Sequence, residues 1–247
     1  MIINILIIFI FGLVMGSFIN VVAERYPSYY FGGRSKCPNC SKMLSWYELI
    51  PLVSFFIQNR KCRQCSYKIS WRYPIVEFMT GLVFASLYIY IFNFVTWWQF
   101  LVLVLASLTL ILMASIDARL SILPDGLNIF LAILGAIIII LSGAYWGHIL
   151  SALGGLLFFG SLAFFSKGRA MGMGDVKLAG AMGLLLGWPQ ILVAFMTAFI
   201  AGGVWGIILM AANIKKMKDA IPFGPFLVIG TLIALFFGPR IFAIIRL

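Results

Sequence analysis

Charge is what this chain has least of. Of its 247 residues only 10% are charged, seven of those are acidic, and a single histidine, His148, occurs. A soluble domain of ordinary composition is about a quarter charged. Hydrophobic residues make up 63% and mean hydropathy is +1.09. No single water-soluble core needs that much apolar sequence, so the bilayer is the solvent for most of it. One histidine excludes a catalytic zinc held by several. Met1–Ala23 lacks a basic n-region and a small-residue cleavage site, so a retained first helix is expected there rather than a removed secretory signal. The net charge of +11 is large enough for nucleic acid, but almost all the basic residues fall in short segments between apolar runs, the footprint of cytosolic loops.

Those apolar runs predict spans near Ile2–Val22, Ile75–Phe94, Gln99–Ile116, Gly126–Leu141, His148–Ser166, Val176–Gly187, Gln190–Ala212 and Phe223–Phe242. Several are close to the ~20 residues that cross ~30 Å of hydrocarbon. Val176–Gly187 is short, reaching about 18 Å at ~1.5 Å per residue. It must be shielded by neighbouring helices, extend past Trp188, or enter a wet or thinned region. The expected fold is an all-α polytopic membrane protein with about eight transmembrane segments, the short one spanning or re-entrant. A small cytosolic domain lies between the first and second segments. The expected division is 1–22 for the first helix, 23–74 for the cytosolic domain and 75–247 for the membrane core. No internal repeat is expected.

Orientation follows from lysine and arginine counts. Loops 23–74, 117–125, 167–177 and 213–222 hold 16 of the 18, and only Arg240 and Arg246 fall on the other side. The opposite loops carry Trp97, Trp98, Trp146 and Trp188, as interfacial aromatics would. The N-terminus is therefore expected outside, loop 23–74 in the cytosol, and His148 on the outer face, away from any cytosolic nucleophile.

All four cysteines lie in loop 23–74, as Cys37-Pro-Asn-Cys40 and Cys62-Arg-Gln-Cys65. Paired CxxC knuckles at this separation suit tetrahedral thiolate coordination of Zn²⁺. Two disulfides are the alternative, disfavoured in a reducing compartment, and a redox pair is another. Four sulfurs close a metal's shell, so the role expected is structural.

Each acidic residue can then be taken in turn. Glu24 and Asp219 border helices amid basic residues, and Glu48 and Glu77 belong to the first domain and the helix after it. Asp117, Asp125 and Asp175 each sit at the cytosolic end of an apolar span. Asp125 and Asp175 precede helices and read as N-caps. Asp117 closes one, where a carboxylate opposes the macrodipole. Gly172-Met-Gly174 before Asp175 lets the backbone turn sharply and a peptide approach. Two aspartates sharing one site couple their titrations, one protonated and one ionised, a state suited to peptide hydrolysis.

These blocks resemble the bacterial prepilin peptidases (type IV leader peptidases) over nearly the full chain. Gly16-Ser-Phe-Ile-Asn-Val-Val22 with Arg25 and Pro27 looks like the opening motif. It is followed by the two CxxC pairs, Glu48-Leu-Ile-Pro51, and Ile69-Ser-Trp-Arg-Tyr-Pro74 leading to Glu77. Asp117 with Leu123-Pro-Asp125 looks like the first aspartate motif, and Gly172-Met-Gly-Asp-Val-Lys-Leu178 like the second, shared more loosely with presenilin-type GxGD proteases. The resemblance implies an aspartyl endopeptidase of the bacterial cytoplasmic membrane. Such enzymes cut the basic leader from prepilins or pseudopilins after a glycine, in type IV pilus or secretion pathways. It implies Asp117 and Asp175 as the catalytic pair, with Asp125, Gly172, Gly174 and Lys177 supporting, and Cys37, Cys40, Cys62 and Cys65 as metal ligands. Many members also N-methylate the new amino terminus with S-adenosylmethionine, an activity associated with the first domain, where Glu48, Arg72 and Glu77 are candidates. Partners implied are prepilin-like substrates and the bilayer, with no nucleic acid. A GxGD protease of other substrates and a non-enzymatic transporter or scaffold stay open as alternatives. Transporter acids usually lie near the midplane, whereas these fall at one face.

Overall fold

The structure, a computed structural model, describes residues 2–28, 33–92, 95–168, 171–214, 216 and 221–245. Asp219 and Arg246 therefore lie outside the described residues. Among these residues the regular elements are helices, with two isolated antiparallel bridges, and they form two compact units, Met1–Phe94 and Val95–Leu247.

In the first unit α1 (Ile2–Arg25) packs along α3 (Arg72–Tyr90). Small residues permit the approach. A Cβ on Gly12 would lie 2.8 Å from the Gly81 Cα, and one on Gly16 would lie 2.7 Å from the Glu77 Cα. Gly12 and Gly16 are four apart on one face of α1, the spacing that lets two apolar helices touch backbone to backbone in lipid. Between the helices lie a short 3₁₀ turn, Trp46–Leu49, the five-residue α2 (Val53–Ile57) and the cysteine loops.

The cysteine loops correct the expectation that no repeat exists. Lys36-Cys-Pro-Asn-Cys-Ser41 and Lys61-Cys-Arg-Gln-Cys-Ser66 each lead, four residues on, to Ser-Trp, at Ser45-Trp46 and Ser70-Trp71. The backbone repeats with them. Lys36 bridges Met43 as Lys61 bridges Lys68. The Cys37 N–H donates to the Lys42 carbonyl and the Cys62 N–H to the Tyr67 carbonyl, both at 2.9 Å. Only the knuckle residues recur, so no long periodicity marks the duplication.

The second unit holds α4 (Trp97–Leu120), α5 (Asp125–Ser142), α6 (Tyr145–Phe165), α7 (Met173–Leu186), α8 (Gln190–Ala211) and α9 (Gly224–Ile245). Seven helices of the described chain, all but α2 and α7, are long and apolar enough to cross a membrane. With the short α7 they match the expected eight segments, and the chain is a multi-pass membrane protein. Of the three options for the short segment, shielding is the one adopted. α7 contacts α5, α6, α8 and α9, and nine of its 14 residues are buried. It stops at Gly187, whose φ of +69° a side chain would strain.

Because α1 and α3 meet over Gly16, Gly16→Val is expected to destabilise the protein by about 1–3 kcal/mol through overpacking. Gly126→Ala, whose Cβ meets open space, should leave stability unchanged or slightly raised. Thermal denaturation in detergent micelles checks both, and equal melting of the Gly16 variant would contradict the packing argument.

Candidate functional site

Asp117 lies in the last turn of α4, three residues before the helix ends, and is 5% exposed. Its own helix offers it no favourable dipole. Another helix does: the Gly224 N–H at the start of α9 donates to Asp117 Oδ2 at 3.0 Å. A helix N-terminus is a ready partner for an anion, and it offsets the disfavoured position on α4. A Cβ on Gly224 would sit 2.6 Å from that same oxygen, so only glycine allows this approach.

Asp175 arrives from α7. It is the third residue of that helix rather than the N-cap expected, which is Gly172. The half-buried carboxylate reaches back to accept the Gly172 N–H at 3.2 Å, so it serves the helix start from inside the first turn. Asp175 lies near enough for its charge to act on Asp117, 58 positions earlier in sequence. Leu123, from the α4–α5 connection, fills the space beside both glycines. A Cβ on Gly174 would be 3.0 Å from the Leu123 Cβ, and one on Gly224 3.1 Å from Leu123 Cδ2. Gly174 is therefore a close-approach residue, whereas Gly172 has an ordinary extended backbone (φ −80°) and no such crowding.

Asp125 is not an N-cap either. Pro124, extended at φ −62° and ψ 129°, holds that position and leaves Asp125 as the first helical residue. There it meets Lys177 Nζ at 2.7 Å, with both side chains largely exposed. An exposed pair of this kind contributes little stability but ties α5 to α7. His148 sits at the opposite end of α7, its Nδ1 2.8 Å from the Leu184 carbonyl, and takes no part in this cluster.

In the first unit the four cysteines converge. Their sulfurs all lie within 4.8 Å of one another, with Cys37–Cys65 at 3.7 Å and Cys40–Cys62 at 4.0 Å, and none is in a disulfide. Four sulfurs placed tetrahedrally about a metal at ~2.3 Å are ~3.8 Å apart, so the residues fit a metal ion. Local hydrogen bonds favour thiolates. The Tyr67 N–H, with the Asn39 side chain, holds Cys65 down to about 6, and the Cys65 and Gln64 N–H groups lower Cys62. Cys40 receives the Lys42 N–H, yet burial and the surrounding thiols push it up to about 11. Four such groups ionise together only around a cation.

Of the candidates for a second activity, Glu48 is committed elsewhere. Its side chain is 1% exposed, with Oε1 3.3 Å from Lys42 Nζ and Oε2 accepting the Ser45 N–H at 2.9 Å. The Ser45 N–H, with Lys42 beside it, holds its carboxyl below the usual range. Glu48 braces the loop that follows the first knuckle. Glu77 is buried on α3, its Oε2 accepting the Leu52 N–H at 2.8 Å. Arg72 begins α3, its guanidinium 5.8 Å from the Tyr73 ring centroid.

The profile described as the Bacterial Peptidase A24 N-terminal domain matches residues 10–91, and that of the Type IV leader peptidase family matches residues 103–207. A Bacillus subtilis protein named prepilin leader peptidase/N-methyltransferase is 32% identical over 95% of this chain and 95% of its own length. The chain belongs to the type IV leader peptidase family. A Legionella pneumophila member of the same name is 32% identical over 96% of this chain and 92% of its own length, and an Aeromonas salmonicida member 31% over 95% and 91%. No solved structure matches the chain. The cysteines, Glu48, Arg72 and Glu77 fall within the first matched segment of the family, and the three aspartates, Gly172, Gly174 and Lys177 within the second. Gly224 lies beyond both, and sequence reasoning passed over it. Its only signal is Pro222-Phe-Gly-Pro225 at the start of an apolar run.

Purified protein is expected to carry one thiolate-bound metal per chain. Cobalt exchange should give the absorption of a tetrahedral four-sulfur site, and Cys62→Ser with Cys65→Ser should abolish it. The same spectrum in the double variant would contradict the four-cysteine site.

Proposed function

We propose that this chain is a membrane aspartyl endopeptidase that removes the basic leader from type IV prepilins or pseudopilins at the cytosolic membrane face. Cleavage follows a glycine, and the new amino terminus is then N-methylated with S-adenosylmethionine. The observation that carries the reading is the placing of Asp117 and Asp175 at two helix ends that close on the same residue, Leu123, in a chain whose relatives bear the name prepilin leader peptidase/N-methyltransferase. Both carboxylates sit at helix ends rather than mid-helix, which speaks against a role in carrying ions through the bilayer.

The pair works with one carboxyl protonated and the other ionised. The ionised member takes a proton from water as its oxygen attacks the scissile carbonyl, and the protonated member donates to the carbonyl oxygen. Collapse of the tetrahedral intermediate returns a proton to the leaving amine. The Gly224 N–H fixes one Asp117 oxygen and the Gly172 N–H fixes Asp175, so both carboxylates are held in place before substrate arrives. Lys177 and Asp125 link α7 to α5 beside them. Placing these helix ends and the basic loops in the cytosol leaves a substrate helix in the bilayer and its leader in water.

Zn²⁺ is the metal proposed for Cys37, Cys40, Cys62 and Cys65. Four thiolates leave no position for a catalytic water, so it organises the loops. S-adenosylmethionine, when bound, supplies an electrophilic methyl group. Of the three candidates, Arg72 and Glu77 suit a role in methylation, and Glu48 a structural one.

Asp117→Asn and Asp175→Asn are each expected to lower prepilin cleavage by at least about 10³-fold with normal membrane insertion. Gly224→Ala should lower it about 10²-fold by displacing Asp117, and Asp125→Asn by less than about 10-fold. Cleavage of a purified prepilin in detergent, followed by gel mobility, measures all four. Full activity in either of the first two variants overturns the assignment.

A further inference from the structure

We propose that a cleft in the Met1–Phe94 unit binds the methyl donor, with Asn20, Glu77 and Arg72 holding the amino-acid end of an S-adenosyl amino acid. This rests on the N-methyltransferase reading above and names the site that reading requires.

The cleft has a volume of about 740 Å³ and is lined by α1, the cysteine loops and the start of α3. Sites for molecules of nucleoside size run from about 300 to 1,000 Å³. Asn20 lines it from α1 and is 2% exposed. Its Nδ2 donates to the Tyr73 carbonyl at 3.1 Å, while its Oδ1 has no partner among the described residues. A buried acceptor left open is costly, and the great majority of such groups are paired. A donor group on a ligand in the cleft would complete it.

The neighbours of Asn20 define what that ligand carries. Glu77 lies one turn beyond Tyr73 on α3, 8% exposed, held by the Leu52 N–H and by the Ser17 hydroxyl from α1. Arg72 precedes Tyr73, and its buried Nε has no partner among the described residues. An acceptor, a carboxylate and a guanidinium are thus gathered within about one turn of the α1–α3 contact. That set matches a zwitterion, with its ammonium toward Asn20 and Glu77 and its carboxylate toward the guanidinium fork. Tyr67, exposed on the same lining, offers aromatic surface for a purine.

Two other occupants fit less well. The basic leader of a prepilin would face five basic side chains against three acidic ones, and one of those acids, Glu48, is already bound to Lys42. A polyphosphate would bring its negative charge against the buried Glu77 carboxylate. The zwitterionic end of the donor meets both signs of charge.

Equilibrium dialysis of labelled S-adenosylmethionine against the full chain in detergent, without prepilin, tests this by binding rather than turnover. Wild type is expected to bind. Asn20→Ala and Arg72→Lys should weaken binding about 10- to 100-fold, the loss of one hydrogen bond to a charged group, and Glu77→Gln should weaken it in the same direction. S-adenosylhomocysteine should raise the melting temperature of wild type and not of these variants. Metal content and unliganded melting report whether each variant is folded. Arg72→Lys, which keeps the positive charge and leaves the Asn20–Tyr73 hydrogen bond intact, covers the case in which Asn20→Ala fails to fold. Wild-type affinity in all three weakening variants overturns the cleft assignment and leaves the methyltransferase reading standing. Absence of binding to a wild-type protein that still cleaves prepilin overturns the methyltransferase reading and this proposal with it.

Discussion

A helix of 14 residues cannot cross hydrocarbon, and the second unit is arranged around hiding one. α7 would be unstable against lipid, because its first N–H and last C=O groups would lie at depths without water. Four helices surround it, and small residues along its length let them come close. A Cβ on Gly180 would meet the Leu156 side chain, and one on Gly183 would collide with the Ala152 backbone. Its start is the one part that stays partly open, with Met173 exposed and Asp175 half-buried. Shortness therefore decides where a carboxylate can be placed: near a membrane surface, yet inside a shell of helices.

The aspartate cluster is assembled from helix ends, each supplying what another lacks. Asp117 stands at the unfavourable end of α4 and takes a hydrogen bond from the start of α9. Asp175 satisfies an N–H of its own first turn. Among the described residues, neither carboxylate is in an ion pair with a lysine or arginine. The nearby cation, Lys177, is engaged with Asp125. Preorganisation of this kind rests on backbone N–H groups, which are fixed by the helices and cost little to hold in position.

The first unit solves a different problem. Some fifty residues outside the spans cannot bury enough apolar surface for a stable core. Phe55, 5% exposed, packs with its ring centroid 5.0 Å from that of Trp71, and the Arg60 guanidinium lies 5.0 Å from the same Trp71 ring. Beyond this small cluster the loops are organised by the four sulfurs and by Glu48. The near-repeat of the two knuckles presents two sulfurs from each side of a site that could hold one ion.

Composition and short spacing determined, by themselves, the membrane class, the eight apolar segments with one too short, the cysteine cluster and the three aspartates worth attention. These signals are local: hydropathy over about twenty residues, a CxxC gap of two, a carboxylate at the end of an apolar run. The capping assignments failed because helix boundaries shift by one to three residues, and at Asp125 the preceding proline took the cap. The knuckle repeat was legible in the residues but too short to register as a period. Only the tertiary structure decided that α7 is enclosed, that Glu48 is a brace, that Asn20 carries an open acceptor, and that Gly224 reaches Asp117 from 107 residues away. Each depends on two segments meeting in space, and side-chain contacts of that range leave no spacing in a single sequence.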